Sequence, residues 1–275
     1  MPETIDWATF TRETPEFPEL YHKLFRTIPQ LALDTTPADD DVAGAVITEL
    51  MVASLPDFDD ILLLCSKDHH WGALKLLRGL FERTVTLKYL AQNPGEVEAF
   101  LAFDAVDWDV VLSGIEERFG ITAKVGTRQH FQGAAKDVRE RFKQERCKEC
   151  GNRKQRSWTP RSSLELAEKT GLAHLHFEGF VLPTKLIHPT HFGTQLISRG
   201  SPAPLPNILK ATHTLTLETA LVHQRYFKGD PLASPAVADA VQEFFRVWKY
   251  ADTDFGLGRN GVRVGIHFRP HDYDK

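Results

Sequence analysis

The sequence has little cysteine, three residues in 275. So low and odd a number builds no disulfide framework, and it fits a reducing compartment. The chain also lacks any stretch approaching the roughly 18 apolar residues of a membrane span. Its longest short apolar run, Ile61 to Cys65, is the size of a core segment. The opening MPETIDWATF has no basic region followed by an apolar run, so it does not read as a secretory leader. A cytoplasmic location and no membrane partner are the expectations. Net charge is small as well, -4 from 33 Lys+Arg against 37 Asp+Glu, so no overall basic field points to nucleic acid. Internal repeats and low-complexity segments are missing, which excludes solenoids and fibrous classes.

What is present is helical periodicity. Leu20, Leu24, Ile28 and Leu31 make a first amphipathic helix. Thr36-Pro37 reads as an N-cap and an N1 proline, with Asp39, Asp40 and Asp41 in the first turn of a second helix. Pro56 predicts an interruption of that helix. The stretch Asp68–Asn93 is apolar on more than one side, with Leu74, Leu77, Phe81 and Val85 on one and Leu76, Leu80, Leu87 and Leu90 on another. Such a helix is predicted to be interior, with the rest of the chain packed around it. Asn93-Pro94, with Glu96 in a capping-box position, opens the next helix, and Gly120 stops it. Further helices are predicted at about 128–144, between Ser162 and Gly171, and at about 208–227 and 235–250. In the tail, Val262, Val264, Ile266 and Phe268 alternate with polar residues, which predicts a short C-terminal strand. The expected architecture is all-α, a multi-helix bundle with a short C-terminal β-element. Its parts are a surface arm at 1–17, a helical domain at 18–255 with a basic loop insertion at about 145–161, and a tail at 256–275.

Four clusters could carry chemistry. Arg78 and Glu82 sit one turn apart on the helix predicted to be interior, where unpaired charge is costly. They read either as a buried ion pair clasping helices or as an anion-binding arginine oriented by a carboxylate. Thr184 to His191, TKLIHPTH, places His188 just before Pro189, which holds it out of the helical region and presents its ring. His188 and His191 read as turn histidines in ordinary hydrogen bonds, or as ligands of a metal shared with Glu82. Cys147-x2-Cys150 opens like a zinc knuckle but has no second pair, only His130, His174 and His176 as further candidates, so no metal or other cofactor is expected. Around it lies a basic run that includes Arg153, Lys154 and Arg156, with Trp158. A basic loop with an aromatic can hold a phosphate backbone and stack a base, and it can equally be a solvated charged face. A fifth pattern, Gly256-x-Gly258-x-x-Gly261, has its helix before and its strand after, the reverse of a dinucleotide site.

Several of these segments recur together in one pattern. Arg78-Gly79-Leu80-Phe81-Glu82 with Leu87-Lys88-Tyr89-Leu90, then Ser157-Trp158-Thr159, then Leu164-Glu165-Leu166-Ala167-Glu168, then Thr184 to His188, resemble in order and spacing a bacterial helical family, domain of unknown function five-six-seven-seven. The resemblance spans roughly residues 40–227. Thr184 stands where that pattern has serine, which keeps a hydroxyl, and the CxxC insert departs from it. That family in turn looks similar to the HEPN class, many of whose members are dimeric ribonucleases of phage defence and toxin systems. The resemblance implies RNA as partner, a homodimer, and a site of Arg78, Glu82 and His188. Thr184, His191, Trp158, Arg153, Lys154 and Arg156 would then be the substrate contacts. The HEPN class spaces its Arg and His four to six residues apart. No such spacing occurs around Arg78 or His188, so the two would have to meet from different helices. The functional expectation is an RNA-interacting protein, with metal-independent endoribonuclease activity as its enzymatic form. A non-catalytic helical regulatory or interaction protein is the alternative.

Overall fold

The computed structural model describes residues 5–8, 17–122, 124–139, 142, 157–188, 190–198, 205–248, 256–258 and 261–263. Ten α-helices occur among them: α1 (Phe17–Asp34), α2 (Val42–Ser66), α3 (His70–Gln92), α4 (Val97–Phe119), α5 (Val125–Arg139), α6 (Ser163–Thr170), α7 (Leu182–Ile187), α8 (His191–Ser198), α9 (Leu205–Lys228) and α10 (Pro235–Trp248). A π-helical turn, Phe177–Val181, leads into α7. The chain divides into two compact units, one of residues 1–92 with 163–275, the other of 93–162.

In the larger unit the apolar stripe of α1 is buried as its spacing predicts, with Leu20, Leu24, Ile28 and Leu31 fully inaccessible. α2 begins behind Asp41, not at Thr36-Pro37: the Asp41 carboxylate accepts the Gly44 N–H at 2.8 Å and the Tyr226 hydroxyl at 2.8 Å. A carboxylate that caps a helix and receives a tertiary bond outcompetes a threonine cap. Pro56 does not interrupt α2. The bond it removes would have ended on the Val52 carbonyl, and Val52 lies on an exposed side of the helix, where water can serve that oxygen. The turn into α3 is tight, with the His69 N–H on the Leu64 carbonyl at 2.8 Å and Asp68 at a φ of 60°.

α3 packs against α2, α6, the π turn, α7 and α9. The helix buried along its length is α9, where residues 211–221 are without exception inaccessible. Its core positions carry many polar groups, of which the threonines are answered locally: the hydroxyls of Thr212, Thr214 and Thr216 donate to carbonyls four residues back, and that of Thr219 to one three back. Between α9 and α3 lies the unit's buried ion pair, Lys88 Nζ to Glu218 Oε2 at 2.6 Å, with side chains 13 % and 6 % exposed.

The smaller unit has its own core, in which Ala99, Phe103 and Val106 of α4 meet Ala135 and Phe142. α4 stops at Gly120 in the left-handed conformation, φ 65°. Glu96 pairs with Arg161 at 3.3 Å, and Arg139 is bonded to Asp109. In the tail, Gly256–Gly258 and Gly261–Arg263 pair antiparallel over three residues each. The strand expected over Val262–Phe268 is not supported, since residues from 264 onward lie outside those described. Apart from this short pairing, the regular structure of the described residues is all helical.

Candidate functional site

Arg78 and Glu82 project from the same edge of α3, with Arg78 Nη2 to Glu82 Oε1 at 3.3 Å. Their side chains are 25 % and 46 % exposed, so they form a surface pair on a helix whose other faces are buried. The expectation of a buried clasp is corrected here: the charges point outward because Leu77, Leu80 and Phe81 take the inward positions. The clasp is Lys88–Glu218, one helix face away.

The π turn then builds on this edge. Gly179 sits so close to α3 that a Cβ there would lie 2.6 Å from the Phe81 ring. That approach seats the turn against α3, and an extra residue in its loop re-aims the side chains that follow, as π turns commonly do at functional sites. Phe180 lies beneath the Arg78 guanidinium, 4.7 Å from Cζ to the ring centre. On the same ring stacks His176, centres 5.3 Å apart and planes 20° apart, with Phe81 edge-on to the histidine at 6.0 Å. Ser163 Oγ, at the start of α6, is 3.1 Å from His176 Nε2. Burial lowers the His176 pKa and the Glu168 charge opposes this less strongly, so the ring is neutral near pH 7 and able to accept a proton.

The remaining candidates are placed as follows. Thr184 is one turn beyond Phe180 and donates its hydroxyl to the Phe180 carbonyl at 2.5 Å. His188 ends α7 in an extended conformation, φ -84° and ψ 144°, as its place before proline predicts, and its N–H reaches the Thr184 carbonyl at 3.2 Å. Its ring is exposed. His191 is exposed at the start of α8, 2.8 Å from Gln195 Nε2. One hydroxyl–carbonyl bond and one backbone bond therefore join Phe180, Thr184 and His188 in series, and the side chain stacked with Phe180 beneath Arg78 is His176. The sequence marks His176 only as a candidate zinc ligand. The available signal was its spacing, His176-x3-Phe180-x3-Thr184, which repeats at one turn. In the smaller unit Trp158 is half-buried, edge-on to Phe100 at 5.4 Å and packed on the Phe103 core. Arg153, Lys154, Arg156, Cys147 and Cys150 lie outside the described residues. Cys65 is buried in α2, its thiol pushed up to about 12 by desolvation, which makes it unreactive. Among the described residues no three His, Cys, Asp or Glu side chains are grouped to hold a metal ion. None of the helices described is long and apolar enough to cross a membrane.

Gly179 offers a direct test of this construction. Gly179→Ala must push the π turn off Phe81 or rotate that fully buried ring, and overpacking of this kind costs about 1–3 kcal/mol. The expected result is a lower urea midpoint with an unchanged slope. Wild-type stability in this variant would mean that the turn does not rest on α3 as described.

Fold and site define a helical protein in which a surface arginine–carboxylate pair, Arg78–Glu82, is backed by an aromatic and histidine stack. Residues 44–199, more than half of the chain, match the family of unknown function DUF5677, and the chain belongs to that family. The match runs from the first turn of α2 through α8 and takes in every residue of the stack; α1, α9 and α10 lie outside it. No curated protein and no solved structure matches the chain.

Proposed function

We propose that this is an RNA-interacting protein of HEPN-like type that holds a backbone phosphate on Arg78 and cuts RNA without a metal ion. The observation that carries the reading is the setting of Arg78. Its guanidinium is fixed on one side by Glu82 and on its face by Phe180, yet a quarter of the side chain stays open to solvent. A planar cation held in this way is preorganised for bidentate phosphate binding. Phe177, 58 % exposed on the same π turn, adds a ring on which an unpaired base can stack. Cleavage would proceed by attack of a ribose 2′-oxygen on the adjacent phosphorus, with Arg78 countering charge on the phosphoryl oxygens and a histidine taking the 2′-hydroxyl proton. Glu82 keeps Arg78 in place. Homodimerisation, a cytoplasmic location and a role in defence or toxin systems complete this reading.

The test is binding and cleavage of a labelled, unstructured RNA by the full chain in EDTA. Arg78→Ala is expected to weaken binding at least tenfold and to abolish cleavage while helix content is retained. A second reading, a non-catalytic interaction protein, is favoured by one feature: an exposed i,i+4 pair such as Arg78–Glu82 contributes only tenths of a kcal/mol and needs no function to explain it. RNA affinity and RNA integrity unchanged by Arg78→Ala would establish that second reading.

A further inference from the structure

The ribonuclease reading needs a proton carrier, and its candidates are His176 and His188, which flank the π turn and α7. His188 caps α7 with its backbone, and its ring stands in solvent. His176 shares the Phe180 ring with Arg78. The two separations across that ring place the guanidinium carbon and the imidazole centre at most about 10 Å apart, within the span of one ribose-phosphate unit and its hydrogen bonds. The imidazole is also oriented, by Ser163 at Nε2 and by the Phe81 edge. Orientation by a second group is what separates a working base from a surface histidine.

We propose that His176 is the proton-carrying residue of the Arg78 site, with Phe180 as the platform that sets its distance from Arg78 and Ser163 as the positioning residue that selects its tautomer. The inference rests on the ribonuclease reading above. With Nε2–H donating to Ser163 Oγ, Nδ1 is the basic nitrogen. The ribose 2′-hydroxyl gives its proton to Nδ1 as the 2′-oxygen bonds to phosphorus. The bond from phosphorus to the 5′-oxygen breaks, and the leaving oxygen takes a proton from water. The resulting hydroxide recovers the proton from the imidazolium. The products are a 2′,3′-cyclic phosphate and a 5′-hydroxyl, with no oxidant, metal or co-reactant consumed.

The elements packed around the imidazole bring further charges that bear on its titration. These are Arg78 and Glu82 from α3, Glu165, Glu168 and Lys169 from α6, Glu178 from its own turn, Lys185 from α7, and Lys210 and Glu218 from α9. Glu168 is the one that acts on His176 appreciably. Substitution and chemical rescue read the imidazole alone and are the probes of choice.

The experiment uses the full chain with a 5′-labelled unstructured RNA in EDTA, reading binding by anisotropy and cleavage by product formation. His176→Gln keeps a side-chain amide for Ser163 and nearly the same size but cannot act as a base. It is expected to cut at least 100-fold more slowly, as removal of a general base does, with RNA affinity within twofold of wild type. His176→Ala is expected to do the same and to regain part of its rate with added imidazole. Ser163→Ala should lower kcat about tenfold without changing binding, and Ser163→Thr should restore it; His188→Ala should cut at close to the wild-type rate. Wild-type cleavage by His176→Gln, or loss of cleavage confined to His188→Ala, overturns the assignment while leaving the ribonuclease reading intact. A wild-type chain that cuts no RNA overturns both. Circular dichroism on each variant shows whether the helical fold is kept. If His176→Ala unfolds, His176→Gln decides.

Discussion

Lys88→Met should destabilise the protein by several kcal/mol, on the order of 3–5, as removal of one partner from a buried ion pair does. Lys88 and Glu218 meet at 2.6 Å with side chains 13 % and 6 % exposed, so solvent offers Glu218 little compensation once the ammonium is gone. The pair lines one wall of a small cleft together with Leu221, Val222, Arg225 and Pro231. The cost comes chiefly from the orphaned carboxylate and not from lost attraction. The double variant Lys88→Met with Glu218→Leu, which removes both charges, should therefore recover most of the stability. Urea unfolding followed by circular dichroism measures both. If the single variant is as stable as the double, Glu218 finds water or another donor, and the pair is not the clasp between α3 and α9.

Acid should unfold the protein well before its carboxylates are all protonated. His213 and His223 are both buried in α9. The imidazole of His213 is ringed by Phe17, Phe58 and Trp248, with centres 5.5, 5.8 and 5.8 Å away. Among the described residues neither of its ring nitrogens meets a partner at full bonding geometry, and the Leu209 carbonyl opposes the burial without outweighing it. Desolvation lowers its pKa from 6.5 to about 3, and that of His223, whose Nε2 is 3.2 Å from Thr48 Oγ1, to about 4. Depressed folded values on basic groups mean that the unfolded chain takes up protons first. The stability is therefore complete above pH 6.5 and declines as pH falls toward 4 and 3. Each histidine costs the fold about 1 kcal/mol per pH unit in that window. Between pH 6.5 and 4.5 the two remove roughly 4 kcal/mol, a large part of an ordinary stability of about 5–15 kcal/mol. Trp248 borders His213, so its fluorescence should report the transition. His213→Leu should shift the acid midpoint downward by a substantial fraction of a pH unit. Superimposable acid titrations of this variant and the wild type would show that His213 does not couple folding to pH.

These two effects arise from residues that the sequence leaves inconspicuous. Lys88 reads as one member of an apolar LKYL segment, and Glu218 as a charge on a closing helix. Nothing local marks them as partners, since 130 positions separate them. The Arg78–Glu82 spacing, by contrast, is fully legible and still misleads about burial. Spacing states that two side chains share a face. It does not state whether another helix covers that face.

What the sequence by itself determined is the local order: the helical class, the buried stripes of α1 and α3, the stop at Gly120, the extended His188 before proline, and the family pattern from Arg78 to His188. All follow from interactions within one or two turns, where a 3.6-residue period, a left-handed glycine or a proline ring acts without reference to the rest of the chain. Tertiary structure alone decided that α9 is the inaccessible helix, that Lys88 and not Arg78 is the buried cation, that Pro56 is tolerated on the exposed side of α2, and that His176 joins Arg78 across Phe180. Each of these depends on which distant element covers a given face. Desolvation, which sets the cost of a charge and the pKa of a histidine, is a property of that covering and not of the covered sequence.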